Sequence, residues 1–402
     1  MYISRTIEKK VKELTKEFKV LVVTGARQVG KSTMLKHCDP KRTYVSLGKP
    51  NIREFANSEP ELFLQRYKAP VIIDEIQYAP ILLDYIKEIV DNSEKRGQYW
   101  LTGSQPFHLM KNVSETLAGR AAIINMLGLS INEKQNATDI PIVFNEEYLN
   151  KKRQNSKKHS LQKVFEYIYK GSYPELYAGN ISDLDVYYNS YLQTYIERDI
   201  RALTTIEDEN SFIKFMRIVA ARTGQVVKYN QLALEAGISQ PTAKKWLSLL
   251  ITSGIVYLLE PFYENLTKRL TKMPKLYFYD TGLCAFLCGW STPEVLEQGA
   301  MNGAFFENFV VIEILKNYLN NGKKPSFFFY RDTEQKEIDL IIEQNQKLFP
   351  IEIKLTASPN KTMIKNFSIL PEKKFTSGAL ICMTSEDYPI TPKVNAIPIW
   401  YL

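Results

Sequence analysis

One short segment constrains the fold of this chain more than any other feature. Residues 25–32 read GARQVGKS and match the pattern G-x-x-x-x-G-K-[ST] at every fixed position. The apolar, β-branched run VLVVT at residues 20–24 comes directly before it and predicts a buried parallel strand, and TMLKH after it predicts a helix. A strand, a glycine-rich loop and a helix in this order predict a loop that holds phosphate groups.

Each residue type in this loop has a physical reason to be there. Gly25 and Gly30 let the backbone curl so that successive N–H groups point at phosphate oxygens, and the start of the helix favours the same anion. Lys31 is expected to reach the β- and γ-phosphates of ATP, and the Ser32 hydroxyl to bind Mg²⁺. A glycine-rich turn without a ligand is the alternative. The residues expected to bind ATP are Gly25, Ala26, Arg27, Gln28, Val29, Gly30, Lys31, Ser32 and Thr33.

A second element of such a site is predicted at residues 70–75, which read PVIIDE. The apolar run predicts another buried strand, and Asp74 and Glu75 come at its carboxyl end, where open α/β sheets bind ligands. Asp74 is expected to hold the Mg²⁺ ion through water, and Glu75 to orient or deprotonate the attacking water. Two adjacent acids at the end of a buried strand would be unfavourable without a cation.

A third strand, YWLT at residues 99–102, is predicted to end close to the first two. Thr102, Ser104 and Gln105 are candidates for contact with the γ-phosphate or the attacking water, and an ordinary turn is an equal alternative. Arg120, in the segment LAGR, is a candidate arginine finger that acts on the nucleotide of its own or of a neighbouring subunit. A solvated arginine at a helix end is the alternative.

Four segments in this order, GARQVGKS, VIIDEIQ, LTGSQ and LAGR, resemble AAA+-type P-loop ATPases of bacteria and archaea. GSYPEL, YIERDI, YFYDTGL, FFENFV and EIDLII, between residues 171 and 342, are similar to the C-terminal half of a family that joins this ATPase to a conserved, largely uncharacterised domain. The resemblance covers nearly the whole chain and implies ATP hydrolysis and a helical lid over residues 161–205. There, Arg198 and Arg201 are candidates for sensing the nucleotide, and an ion pair of Glu197 with Arg201 is the alternative.

The middle of the chain carries the pattern of a winged helix. Helices are predicted at residues 211–222 and 230–236 and from Gln240 onward, with a glycine-containing turn before the third and a strand at residues 255–259. The polar segment 132–160, which precedes these elements and the lid, is expected to be a solvated linker or surface loop.

This middle part is also strongly basic, with ten Lys or Arg residues against three Glu between residues 211 and 275. In one interpretation the third helix enters a DNA major groove with Lys244 and Lys245. Phosphate contacts would then come from Lys268, Arg269 and Lys272. In the other interpretation the domain packs against protein and the lysines form a solvated face.

The C-terminal part combines a helix and three strands with charged side chains. Glu307 lies on a predicted amphipathic helix, and Asp339 and Glu352 lie on two predicted strands of one hairpin, with Lys354 on the same face as Glu352. A charged, hydrogen-bonded face of an ordinary α/β domain is one interpretation. Arg331, at the end of another predicted strand, is a candidate for holding a phosphate group.

The same four residues resemble the PD-(D/E)xK nuclease constellation, although Ile338 stands where that pattern has proline. The resemblance implies a restriction-endonuclease-like fold in which Asp339 and Glu352 bind Mg²⁺. It also implies that Lys354 activates water and that Glu307 helps to position the metal.

Composition bounds the remaining possibilities. The 402 residues are 45% hydrophobic and 24% charged, which predicts a globular chain of two to three domains, and the net charge of +8 permits nucleic acid as a partner. Four scattered cysteines and three histidines argue against a disulfide framework or a structural zinc site. The absence of a long apolar run and of a signal peptide predicts a cytoplasmic protein without membrane contact.

The sequence therefore predicts an α/β chain: a P-loop NTPase with a parallel sheet and a helical lid, then a winged helix and a restriction-endonuclease-like α/β domain. The expected divisions are an ATPase core at 1–135, a linker and lid at 136–209, a winged-helix-like domain at 210–275 and a nuclease-like domain at 276–402. The expected function is ATP hydrolysis with Mg²⁺, coupled to DNA binding and, in one version, DNA cleavage. The alternatives are a nucleotide-dependent switch that acts through protein partners or homo-oligomerisation, and a nucleotide-binding scaffold with an inactive C-terminal site.

Overall fold

The N-terminal part of the chain alternates short strands and helices, as the sequence predicts. The structure, a computed structural model, describes residues 2–103, 116–179, 181–195, 209–263 and 272–402. In chain order the N-terminal elements are α1 (Glu8–Glu17), β1 (Val20–Thr24), α2 (Lys31–Cys38), β2 (Thr43–Ser46), α3 (Pro50–Ser58), α4 (Pro60–Arg66), β3 (Val71–Asp74), α5 (Leu82–Asp91), β4 (Tyr99–Gly103) and β5 (Ala121–Asn125).

These strands form one sheet in the order β2-β3-β4-β1-β5, and every neighbouring pair is parallel. Strand β1 is buried on both faces, because Leu21 and Val23 belong to one hydrophobic cluster and Val20 and Val22 to another. Burial on both faces explains why the strand reads as an uninterrupted apolar run. The strand order places β4 between β1 and β3, so its carboxyl end lies between the phosphate loop and Asp74.

The segment after this sheet contains a helix where the sequence predicts a solvated linker. Helix α6 (Glu146–Asn155) is capped by the Asn145 side chain, which accepts a 2.9 Å hydrogen bond from the Tyr148 N–H. The linker interpretation is wrong here because Tyr148 and Lys152 are buried, and Lys152 Nζ donates to the carbonyl oxygen of Leu402 at 2.5 Å. The helices that follow are α7 (Leu161–Lys170), α8 (Pro174–Tyr177) and α9 (Leu184–Tyr195).

Three helices and a hairpin come next, in the order that the sequence predicts for this part. They are α10 (Glu209–Ala220), α11 (Tyr229–Ala236), α12 (Gln240–Thr252), β6 (Val256–Pro261) and β7 (Lys275–Phe278). Gly237 follows α11 with φ of 74°, a conformation that glycine adopts without strain. Strands β6 and β7 are antiparallel, and β7 spans the predicted domain boundary at 275/276.

The C-terminal part continues the sheet that this hairpin begins. Its elements are α13 (Thr281–Cys288), α14 (Pro293–Gln298), α15 (Asn302–Asn320), β8 (Phe327–Arg331), β9 (Glu337–Gln344), β10 (Lys347–Ile353), β11 (Gly378–Cys382), β12 (Tyr388–Thr391) and β13 (Val394–Pro398). The sheet has the order β12-β13-β11-β10-β9-β8-β6-β7. Strand β9 is antiparallel to β8 and β10, which confirms the predicted hairpin, whereas β11 is parallel to β10.

Helix α15 connects the C-terminal part to the N-terminal sheet. Glu313 accepts a 2.8 Å hydrogen bond from the Ile131 N–H, and Lys316 Nζ donates to the Leu129 carbonyl at 2.9 Å. Both charged side chains are buried, and they form an ion pair with each other at 2.9 Å. Across the described ranges, the helices are all too short or too polar to span a membrane.

Candidate functional site

The predicted phosphate loop has backbone angles that glycine adopts and that other residues rarely do. Gly25 and Gly30 have φ of 143° and 91°, and a Cβ atom placed on Gly25 would lie 2.1 Å from the carbonyl oxygen of Met126. Helix α2 begins at Lys31, whose Nζ donates to the carbonyl oxygens of Gly25 and Ala26 at 2.9 and 2.7 Å. The loop therefore closes around the lysine head, and a bound phosphate would offer that head a charged partner instead.

Asp74 is the centre of a hydrogen-bond network at the carboxyl ends of the strands. Its carboxylate accepts hydrogen bonds from the hydroxyls of Ser32, of Thr102 at 2.5 Å, of Tyr44 at 2.8 Å and of Ser46 at 3.3 Å. The predicted residues Ser32, Asp74 and Thr102 thus meet at one point. Burial and the hydrogen bond to Asp74 raise the pKa of the Tyr44 hydroxyl, so it stays a donor.

Tyr44 and Ser46 are two functional residues that the sequence interpretation missed. They lie on β2, where alternate side chains share one face of the strand. The sequence signal that could have identified them is a pair of hydroxyl side chains at alternate positions of the strand that comes before β3 in the chain. These hydroxyls reach Asp74 because β2 pairs with β3, and that pairing joins residues that are distant along the chain.

Glu75 follows Asp74 in the left-handed region, with φ of 60°. Its N–H donates to Thr102 Oγ1 at 3.2 Å, and its carboxylate accepts a hydrogen bond from the Gln77 side chain. The glutamate is therefore held at the end of β3, next to the predicted Mg²⁺ position. Ser104 and Gln105, the other candidates at the end of β4, lie outside the described residues.

Arg120 is not brought to this site. Its carbonyl oxygen accepts from the Val20 N–H at 3.3 Å, which puts it at the amino end of β1, whereas the phosphate loop follows Thr24 at the other end. Four strand residues span about 13 Å. Arg120 instead pairs with Asp91 through its guanidinium, at 2.9 Å from Nη2 to Oδ2, so it does not reach the phosphate loop of its own chain.

The side chains around Asp74 suit a magnesium ion. Mg²⁺ prefers hard oxygen ligands, and the Ser32 hydroxyl and the Asp74 carboxylate already lie within hydrogen-bond contact of each other. Ser32 and Asp74 would hold the ion, with the remaining positions left to water and phosphate oxygens.

A cavity of about 530 Å³ opens beside the phosphate loop. Arg5, a buried residue that the sequence interpretation missed, supports the loop by donating to the Val29 carbonyl at 2.9 Å and pairing with Glu133 at 3.0 Å. The volume is within the range of small-molecule sites. The cavity is lined by Tyr2, Ile3, Arg5, Gln28, Gly30, Thr33, Pro174, Glu175, Ala178 and Tyr187.

Asp280 fixes the segment that forms the far wall of this cavity. Its carboxylate accepts hydrogen bonds from the Ser172 N–H at 2.6 Å, the Tyr188 hydroxyl at 2.8 Å and the Leu283 N–H at 2.7 Å. It thereby joins GSYPEL to YFYDTGL, two segments that carry the family resemblance. The result is that Pro174 lies 3.6 Å from where a Cβ atom on Gly30 would be.

The C-terminal candidates Glu307, Asp339, Glu352 and Lys354 also come together. Lys354 Nζ lies 3.3 Å from Asp339 and 2.6 Å from Glu352. Burial, with the nearby Asp339 charge adding to it, raises the pKa of Glu352 to about 8, although Lys354 opposes the shift. Burial likewise raises the pKa of Glu307.

A second lysine, Lys275, lies among these acids and was missed by the sequence interpretation. Its Nζ is 2.9 Å from Glu307 and 4.0 Å from Asp339, and it also pairs with Glu337. The side chain is only 2% exposed. We call this group the charged cluster: Lys275, Glu307, Glu337, Asp339, Glu352 and Lys354.

The charged cluster does not suit the predicted Mg²⁺ ion. Each of its four carboxylates already contacts Lys275 or Lys354, so each has a cationic partner without a metal, although two positive charges face four acids. In the described part of the chain, no three His, Cys, Asp or Glu side chains are arranged to hold a metal ion. The expectation that Asp339 and Glu352 bind Mg²⁺ therefore finds no fitting geometry.

Three known domain families match successive parts of the chain. Residues 17–134 match the AAA domain, residues 161–294 a domain of unknown function (DUF8612) and residues 302–402 another domain of unknown function (DUF4143). With the loop geometry above, the first match identifies a P-loop ATPase domain at the N-terminus.

Similar whole proteins cover most of the chain. The uncharacterized proteins Rv2008c of Mycobacterium tuberculosis and Mb2031c of Mycobacterium bovis are each 24% identical over 382 residues, which is 94% of this chain and 80% of theirs. Among solved structures, the Walker-type ATPase PABY2304 of Pyrococcus abyssi is 15% identical, covers 70% of this chain and 94% of its own, and has a TM-score of 0.40.

Proposed function

We propose that the chain binds ATP with Mg²⁺ at the phosphate loop and hydrolyses it to ADP and phosphate. One observation carries this proposal: Ser32 at the start of α2 and Thr102 on β4 both donate to Asp74 on β3, beside a loop that encloses Lys31. Phosphoryl transfer needs mainly positioning and charge stabilisation, and these residues can supply both.

Each residue then has a definite task. Lys31 leaves the carbonyls of Gly25 and Ala26 and binds the β- and γ-phosphates. Glu75, held by Gln77, orients the attacking water or takes its proton. The base and ribose occupy the 530 Å³ cavity beside the loop, between the N-terminal segment and helix α8.

The test is ATP turnover with Mg²⁺ by the full chain and by two variants. Lys31→Ala and Asp74→Asn are each expected to reduce turnover by at least about 100-fold, because they remove charge stabilisation at the reacting phosphate. Lys41→Ala is the matched control, since Lys41 is an exposed lysine just beyond the same helix. Normal turnover by Lys31→Ala would show that the site is wrongly assigned.

DNA binding is a second proposal, favoured by the exposure of Lys244 and Lys245. Both lie on the outer face of α12, whose inner face buries Trp246 and Leu247. Binding of duplex DNA through this helix should weaken with salt and be lost in Lys244→Glu/Lys245→Glu. Lys268 and Arg269, the predicted phosphate contacts, lie outside the described residues, and Lys272 is exposed.

A nucleotide-dependent switch is the competing proposal. The turn after α12 touches the phosphate loop, because a Cβ atom on Gly254 would lie 3.5 Å from Cβ of Ala26. Nucleotide in the loop could thus alter the packing of α12 or the association of subunits. A change in sedimentation with ATP, without any effect of DNA on turnover, would favour the switch over the DNA-coupled enzyme.

A further inference from the structure

A cleft of about 820 Å³ separates the three-helix part of the chain from the tip of the β8–β9 hairpin. Its walls come from the connection between α10 and α11, from the end of β6 and the start of β7, and from residues 331–335. We call it the basic cleft, because the charged side chains that line it among the described residues are Arg222, Lys228, Lys272 and Arg331 and one acid, Asp332. Its lining shares no residue with the phosphate loop or with α12.

Two of these cations are available to a ligand. Lys228 and Lys272 are exposed, and among the described residues neither forms an ion pair or a side-chain hydrogen bond. Arg222 and Arg331 are already paired, with Glu235 and with Glu337 respectively. An anion can therefore bind the two lysines without breaking an existing contact, and the arginines add positive potential at the walls.

The lining favours a nucleic-acid strand over a simple anion. Gln225 and Gln335 each accept a hydrogen bond from an arginine through Oε1, and their amide N–H groups can donate to base edges. Gln231 donates to Glu235, and its amide oxygen can accept from a base. Tyr263 adds an aromatic ring, the group on which bases stack in single-strand sites. The bases of a single strand are open to these groups, whereas the bases of a duplex are stacked and paired, so the lining favours one strand.

The charged cluster lies directly beside this cleft. Arg331, in the cleft wall, pairs with Glu337 at 3.4 Å, and Glu337 pairs with Lys275. Lys275 is also bridged through its backbone to Val226, another lining residue. Lys275, Lys354 and Arg331 offset three of the four acid charges, so a phosphate in the cleft meets less repulsion from them. The acids of the described residues are not arranged to hold a metal ion.

We propose that the basic cleft binds a single strand of nucleic acid without cutting it. This goes beyond ATP hydrolysis and assigns the strand to a lining that does not include Lys244 or Lys245. The C-terminal part would then bind the strand without reacting with it, and Lys275 would give Glu307 and Glu337 a positively charged partner other than a metal ion.

The test uses the full chain and a fluorescein-labelled oligothymidine of about 20 nucleotides, followed by fluorescence anisotropy in EDTA. Binding is expected without metal, to weaken with salt, and to fall about tenfold or more in Lys228→Glu/Lys272→Glu. Lys323→Glu/Lys324→Glu, at two exposed lysines beyond α15 that do not line the cleft, is the matched control and should bind the strand as the wild type does. The milder Lys228→Gln/Lys272→Gln should give an intermediate loss, and ATP turnover without nucleic acid should be unchanged in every variant.

Three results would overturn this proposal. The first is wild-type affinity in Lys228→Glu/Lys272→Glu, or no binding at low salt. The second is Mg²⁺-dependent cleavage of the strand that disappears in Asp339→Ala. The third is displacement of the strand by polyglutamate as effectively as by unlabelled oligothymidine, which would assign the cleft to an acidic protein. ATP turnover by Lys31→Ala, whether lost or kept, does not bear on any of these three results. The proposal of ATP hydrolysis and the proposal of strand binding can therefore fail independently.

Discussion

Lys275 has almost no contact with water, and three carboxylates share its charge. A buried charge of this kind is tolerated only while its partners remain. No local pattern distinguishes it, because it is one of many basic residues between residues 211 and 275. Its partners Glu307, Glu337 and Asp339 come from a helix and a strand that are distant along the chain.

Removing this charge should destabilise the protein strongly. Lys275→Met leaves the carboxylates buried and uncompensated, and we expect a loss of about 3–5 kcal/mol in the free energy of unfolding. Urea unfolding followed by circular dichroism measures it. Lys324→Met, at an exposed lysine, is the control and should change little. Equal unfolding curves for Lys275→Met and the wild type would contradict the assigned network.

Glu352 makes stability depend on pH in a defined direction. Its pKa rises from 4.5 to about 8 in the folded state, mainly through burial, so between these values the folded chain binds more protons than the unfolded chain. This group's contribution to stability is therefore present below about pH 4.5 and is lost as the pH rises toward 8.

The corresponding variant is Glu352→Gln, which cannot ionise. Its free energy of unfolding, relative to the wild type, should increase from pH 5 to pH 8. Glu372→Gln, at an exposed position, should show no such trend. A relative stability of Glu352→Gln that stays flat or falls over this range would show that the carboxyl group is not buried as described.

Arg120 should have no part in nucleotide binding by its own chain. It lies at the amino end of β1 and pairs with Asp91, so Arg120→Ala is expected to leave the dissociation constant of an ATP analogue unchanged. Isothermal titration measures this directly. If Arg120 acts across subunits, mixing Arg120→Ala with Lys31→Ala should restore turnover that neither has alone. A large loss of affinity in Arg120→Ala would contradict its placement.

At the level of elements, the sequence was most informative where structure is local. The strand, loop and helix around Gly30 follow from an apolar run, two glycines and a lysine, and they form as predicted. The same holds for α7, whose Val164, Phe165 and Ile168 are buried at helical spacing. Helix α6 was missed because most of its side chains are charged or polar. Its burial depends on the contacts of Tyr148 with Tyr401 and of Lys152 with Leu402, which are distant along the chain.

Asp280 shows how one element positions another. Asp280→Ala removes the cap of α13 and the anchor of Ser172, and should lower the free energy of unfolding by about 1–2 kcal/mol. Because Pro174 follows this anchor and lines the nucleotide cavity, the KM for ATP should also rise. Asp183→Ala, which removes the hydrogen bond to the Val186 N–H at the start of α9, is the control and should leave the KM unchanged. An unchanged KM in Asp280→Ala would show that this wall of the cavity does not contact the nucleotide.

On the scale of the whole molecule, pairing between distant strands decides the architecture. Strand β6 pairs with β7 in its own hairpin and with β8 across more than 60 residues of chain, so the three-helix part and the C-terminal part share one sheet. Nothing in the local pattern of residues 256–261 encodes the second pairing. That pairing forms the basic cleft and brings Lys275 to the acids. The sequence could therefore identify Glu307, Asp339, Glu352 and Lys354 as members of the charged cluster, but not Lys275.

The central claim is that the phosphate loop and Asp74 form one site for Mg²⁺ and ATP. The most direct measurement is isothermal titration of the full chain with a non-hydrolysable ATP analogue in the presence and absence of Mg²⁺. We expect a single nucleotide per chain, bound more tightly with Mg²⁺, and loss of that binding in Lys31→Ala but not in Lys41→Ala. Equal binding by the wild type and Lys31→Ala, or affinity indifferent to Mg²⁺ in the wild type, would contradict the account.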